Sequence, residues 1–64
     1  MTVTIQDIDH DLPLIVKYDG STAFQTASIS EAFRFLEGEG YGALCDDYWD
    51  ATWSQKRTGV SRNF

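Results

Sequence analysis

The sequence predicts a small α+β domain in the order β-β-β-α-α. Three observations carry that prediction. Residues 2–8 alternate polar and apolar, and an apolar run at 13–19 ends in Asp19-Gly20 before a second β-prone run at 22–27. A helix-opening signature, Ser28-Ile29-Ser30-Glu31, precedes an apolar stripe. The stretch 41–57 reads as one amphipathic helix with an apolar face and a carboxylate face. A three-stranded antiparallel sheet, made of the 13–27 hairpin and the N-terminal strand, is expected to be packed by helices at 29–37 and 42–57.

In the first element, Val3 and Ile5 point one way and Thr2, Thr4 and Gln6 the other, the period-2 pattern of a half-buried strand. An acidic turn follows at 7–11. Asp7, Asp9 and Asp11 match the first three ligand positions of an EF-hand loop, but the turn glycine would fall on Leu12 and the bidentate glutamate on Tyr18. No calcium site is expected from such a match. His10, a lone histidine among carboxylates, reads as a solvated side chain with a raised pKa rather than as a ligand or base.

Pro13 suits the first position of the second strand, and Asp19-Gly20 is a hairpin turn signal. Loop length decides which residues share a face. A two-residue loop pairs Ile15 with Phe24. A three-residue loop with Gly20 left-handed pairs Leu14 with Phe24 and sets Val16 on the same face. The second gathers Leu14, Val16 and Phe24 on one side and is preferred, because register follows the hydrophobic pattern.

Ser28 at the N-cap and Glu31 three residues on form a capping box. Ile29, Ala32, Phe33 and Leu36 then make a stripe that should face the sheet, with Phe35 off the stripe and Gly38 as the terminating residue. Gly38-Glu39-Gly40-Tyr41-Gly42 has glycines at alternate positions, yet follows a helix rather than a strand. Glu37 and Glu39 would also repel phosphate, so it reads as a cap and hinge.

In the last helix, Tyr41, Leu44, Cys45, Tyr48, Trp49, Ala51 and Thr52 fill one arc. Asp46, Asp47, Asp50, Ser54 and Arg57 fill the opposite one, with Trp53 at the border. Early acids and the late Lys56 and Arg57 suit the helix dipole. Gly59 should stop the helix and leave 59–64 as a tail pinned by Val60 or Phe64.

Length and charge restrict function. The 64 residues make one domain with a small core. One cysteine gives no internal disulfide, and no Cys/His cluster suggests a zinc. Ten acids against five Lys and Arg give a formal charge of −5. An acidic chain is repelled by nucleic acid and anionic lipid, so neither is an expected partner. The N-terminus has no signal-peptide pattern and no run is long enough to span a membrane. A lone cysteine fits a reducing compartment, so a cytoplasmic location is expected, as a monomer or weak dimer.

No nucleophile elbow, zinc-binding His-Glu-x-x-His or Walker loop is present. Cys45 and His10 lie 35 residues apart, and Cys45 falls on the apolar arc. No enzyme, metal or cofactor is expected. Between residues 37 and 50 there are five acids, Glu37, Glu39, Asp46, Asp47 and Asp50, and no base. Like charges one turn apart cost an isolated helix a few tenths of a kcal/mol, roughly. The plain alternative is a solvated helix face that keeps the protein soluble. The functional reading is a carboxylate array displayed to Arg and Lys of a partner, with Trp53 as an apolar anchor.

In size, charge and that display the chain resembles small acidic phage-encoded anti-CRISPR inhibitors that mimic DNA. The resemblance implies binding to a Cascade or Cas effector where target DNA docks, near the groove that reads the PAM. Duplex DNA carries about one charge per 1.7 Å of axis, so any mimicry by five carboxylates is local. The competing expectation is an interaction or regulatory module, antitoxin-like or dimerising, that binds through Phe35, Trp49 or Trp53.

Overall fold

The computed structural model describes residues 1–7 and 14–64. The elements run β1 (Thr2–Gln6), β2 (Leu14–Tyr18), β3 (Ser21–Thr26), α1 (Ile29–Gly38), α2 (Ala43–Asp50), α3 (Trp53–Thr58) and β4 (Val60–Asn63). The fold is α+β, with an antiparallel sheet in the order β3-β2-β1-β4. Two expectations are corrected: among the described residues the sheet has four strands rather than three, and three helices stand where two were expected. Most of the acidic turn at 7–11, His10 included, and Pro13 lie outside the described residues.

Alternation sets the buried face of the sheet. Val3, Ile5 and Val16 are fully buried and Leu14 nearly so. Asp19 and Gly20 both have positive φ, 50° and 87°, as a type I′ two-residue hairpin turn requires. Asp19 is tied to β1 from both ends: its Oδ1 accepts from Thr2 N at 2.8 Å, and its N–H donates to Thr2 O at 2.8 Å. The preferred three-residue loop is therefore wrong. The grouping it was meant to achieve survives by another route. Tyr18 pairs Ser21 and Lys17 pairs Thr22, then a register shift lets Val16 pair Phe24 and Leu14 pair Thr26. A β-bulge at Ala23 shifts the alternation of β3, so that Phe24 and Thr26 share the apolar face with Val16 and Leu14 while Gln25 faces out.

α1 is capped by Ser28, whose side chain accepts from Glu31 N. The reciprocal half of the expected capping box is relayed through the preceding strand. Ser28 N donates to Thr26 Oγ1 at 3.1 Å, and Thr26 Oγ1 donates to Glu31 Oε2 at 2.6 Å. Ala32 and Leu36 are buried as the stripe predicts, while Ile29 is exposed. Phe35 is half-buried, its ring stacked on Phe24 with centroids 4.5 Å apart. The helix ends one turn-element later than expected. Gly38 is its last residue, and Gly40, with φ 89°, takes the left-handed C′ position. Tyr41 N donates to Leu36 O at 2.7 Å and Gly40 N to Glu37 O at 3.2 Å, the paired bonds of a Schellman motif.

The predicted helix 42–57 is broken. Ala51 is extended (ψ 145°), and Thr52 caps a separate α3. Thr52 Oγ1 accepts from Gln55 N, and Gln55 Oε1 accepts from Thr52 N at 2.9 Å, a complete capping box. Its Thr-x-x-Gln signature stands in the sequence but sits inside an apolar arc that reads as continuous. A strong start signal within a helical run favours two helices over one.

The 59–64 tail is also corrected, because it forms β4. Gly59 (φ 108°) turns the chain off α3, and Thr2, Thr4 and Ile5 then pair Asn63, Ser61 and Val60. Thr4 Oγ1 and Ser61 Oγ share a hydrogen bond of 2.7 Å, and Thr2 Oγ1 donates to Asn63 Oδ1 at 2.6 Å. Phe64 packs on Tyr41 with ring centroids 4.7 Å apart. The apolar side of the sheet meets Ala32, Leu36, Leu44, Cys45 and Tyr48 to form the core. Among the described residues no helix is long and apolar enough to cross a membrane.

Candidate protein-binding face

The Schellman turn after α1 brings its acidic end against the start of α2. A Cβ at Gly42 would lie 3.4 Å from Glu37 Cγ. Glu37 and Asp46 both act on the Cys45 thiol. Burial pushes that thiol up from its ordinary pKa, and the two carboxylates push it further. A buried, protonated thiol held by neighbouring negative charge is a poor nucleophile. Glu39 extends the same acidic edge towards Tyr18, whose phenol is raised first by burial and then by the Glu39 and Tyr41 charges.

Glu37, Glu39, Asp46 and Asp50 are all exposed. Asp47 departs from the expected array. Arg62 Nη1 lies 3.2 Å from both of its carboxylate oxygens, so β4 brings a cation to it. Among the described residues this is the one ion pair. Asp47 and Asp50 line an open cleft of about 330 Å³ with Ala51, Gln55, Gly59 and Val60. The five acids thus fall into two groups, Glu37, Glu39 and Asp46 at the α1–α2 junction and Asp47 and Asp50 beside β4.

Both tryptophans are exposed. Trp53 is 40% exposed and begins α3 rather than bordering a long helix. Arg57 sits 5.9 Å from its ring centroid. Trp49, assigned to the core by its place on the apolar arc, is 62% exposed. That is a correction with a simple cause. The helix stops one residue later at Asp50, so no further turn continues the arc, and the ring contacts of Trp49 are edge contacts with Phe33 at 5.7 Å and Tyr48 at 6.4 Å. Lys56 covers the inner ring of this cluster, 4.6 Å from the Tyr48 centroid and 5.8 Å from that of Trp49. The Thr52-x-x-Gln55 signature was the sequence signal that could have exposed Trp49. Nothing in the local sequence pairs Arg62 with Asp47.

The surface therefore joins exposed carboxylates on one side of α2 to an exposed indole at its C-terminal end. Compared with family models, with curated proteins and with solved structures, the chain finds no match.

Proposed function

We propose that this protein is a non-catalytic inhibitor whose acidic face binds a basic nucleic-acid-binding site on a partner protein in the cytoplasm. One observation carries the reading: Glu37, Glu39, Asp46 and Asp50 are exposed and, among the described residues, form no ion pair. Carboxylates gathered without cations raise self-repulsion, and a surface of Arg and Lys relieves it. Trp49 supplies the apolar contact that such an interface needs at its centre. In its most specific form the reading is anti-CRISPR-like. The face stands in locally for the phosphates of target DNA and blocks PAM recognition by a Cascade or Cas effector in a phage-infected host.

The test is competition. Purified Cascade and Cas effectors are loaded with a labelled PAM-containing duplex, and the protein is titrated in at low and high salt. Displacement that weakens steeply with salt, and is lost in the triple variant E37Q/D46N/D50N, is the expected result. A triple variant that displaces DNA as well as the parent defeats the acidic-face reading.

A second reading rests on Trp49 at 62% exposure. Here the protein is an interaction or regulatory module that binds through its aromatics, and the acids serve solubility. Binding is then insensitive to salt and lost on Trp49→Ala.

A further inference from the structure

The two edges of the sheet differ in a way the acidic face does not explain. β4 is four residues long and carries Arg62. Charge on a short edge strand is a common guard against unwanted strand pairing. β3 is six residues long, Ser21-Thr22-Ala23-Phe24-Gln25-Thr26, with no charge and no proline. Among the described residues nothing pairs with its outer edge. Five of its six residues are exposed or half-exposed. In a chain of formal charge −5, the longer sheet edge among the described residues carries no charged side chain.

The acids of α2 are segregated from it. α2, with Asp46, Asp47 and Asp50, packs on β4 and β1 at the far side of the sheet. Among the described residues, the carboxylates beside β3 are Glu31, which accepts from Thr26 Oγ1 at 2.6 Å, and Asp19 of the preceding turn, whose Oδ1 accepts from Thr2 N of β1. The bulge at Ala23 leaves an extra residue outside the β2 ladder, and its local twist is a guard that this edge does carry.

We infer that β3 pairs antiparallel with β3 of a second copy of this chain, across a two-fold axis, to form one continuous eight-stranded sheet. A two-fold interface sets each residue of the patch against its complement on the other copy. The register that uses the whole strand places Thr22 opposite Gln25 and Ala23 opposite Phe24, with no charged pair. A second copy suits the edge better than a foreign strand because the match is neutral, equal in length and self-complementary. The helices of both copies lie on the same side of the sheet, and the two α2 faces stand at its opposite ends. A domain of this size also gains the support that its small core lacks.

The experiment is mass measurement by light scattering and sedimentation across a concentration series. The parent chain is expected at twice its 7.2 kDa. The variant T22K/Q25K, which sets lysines opposite one another at exposed positions, is expected to weaken self-association by roughly tenfold or more with an unchanged circular dichroism spectrum. S61K, on the opposite edge strand, is expected to leave the dimer intact. Hydrogen exchange of the β3 amides in the parent should slow as concentration rises, which decides the matter even where a variant folds poorly. A parent that stays at monomer mass up to ~1 mM, dissociation by S61K but not by T22K/Q25K, or β3 protection that never changes with concentration would each overturn the inference.

Discussion

The Tyr48 hydroxyl donates to Asp7 Oδ2 at 3.0 Å, across 41 positions of sequence. Tyr48 is buried, and Asp7 directly follows β1, where its own N–H donates to Lys56 O at 2.8 Å. One contact thus ties α2, β1 and α3 together.

Alkaline stability should report this contact. Burial, the hydrogen bond to Asp7 and the Asp7 charge push Tyr48 from 10.0 up to about 12. The folded state holds the proton longer than the unfolded state, so stability is full below pH 10 and falls between 10 and 12. The loss is on the order of 2 kcal/mol. Tyr18 is shifted in the same direction and adds to the decline. Urea titrations of the parent and Tyr48→Phe from pH 8 upward measure it. The variant should lose about 1 kcal/mol at neutral pH and show a shallower alkaline decline. Equal slopes in both proteins would rule out Tyr48 as the source.

Gly59→Ala should be among the more damaging single changes. Its φ of 108° disfavours any side chain, and a Cβ there would lie 2.9 Å from Thr4 Cγ2 and 3.1 Å from Gln6 Cγ. The expected loss is about 1–3 kcal/mol, accompanied by detachment of β4. Gly38→Ala is the contrast. That position is helical with nothing within 4 Å of an added Cβ, and the change should stabilise by about 0.5–1 kcal/mol. Chemical-denaturation midpoints separate the two.

Thr52→Ala removes the hydroxyl that accepts from Gln55 N. A lost N-cap costs about 1 kcal/mol, and the six residues of α3 have little else to hold them. Lys56 should then leave the Tyr48 and Trp49 rings, which Trp fluorescence and side-chain chemical shifts detect. An unchanged Trp49 environment would show that the cap does not position this face.

Arg62→Ala should change stability by no more than about 1 kcal/mol, because the Asp47 pair is solvent-exposed. Under the acidic-face reading the same change uncovers a fifth carboxylate and strengthens binding to a basic partner at low salt. Asp47→Asn should weaken binding less than Asp46→Asn. Isothermal titration at two ionic strengths with the partner checks both orderings, and a stronger effect from Asp47 would reverse the assignment of contacts.

Elements with their own periodicity were legible in the sequence. Val3, Ile5, Leu14 and Val16 alternate, and Ala32 and Leu36 are one turn apart, so each names its own buried face. The Asp19-Gly20 turn and the Ser28 cap were legible for the same reason: their chemistry lies within four residues. The acidic positions at Glu37, Glu39, Asp46 and Asp50 were legible as surface because ionised carboxylates without partners stay in water. The helix break at Ala51–Thr52 was also written locally. It was hidden because the apolar arc of 41–52 passes through it and periodicity outweighs a single cap signal.

The sequence by itself determined a half-buried antiparallel hairpin, a capped helix over it and an excess of carboxylates near α2, since each follows from short-range spacing. Only the tertiary structure decided that Val60–Asn63 is a strand. Val60-Ser61-Arg62-Asn63 has no alternation to announce it, and it becomes a strand because the free edge of β1 offers hydrogen bonds to whatever chain Gly59 turns towards it. The same long-range event gives Asp47 its cation, Arg62. It also leaves β3, at the other end of the sheet, as the longer of the two edges with no strand beside them among the described residues.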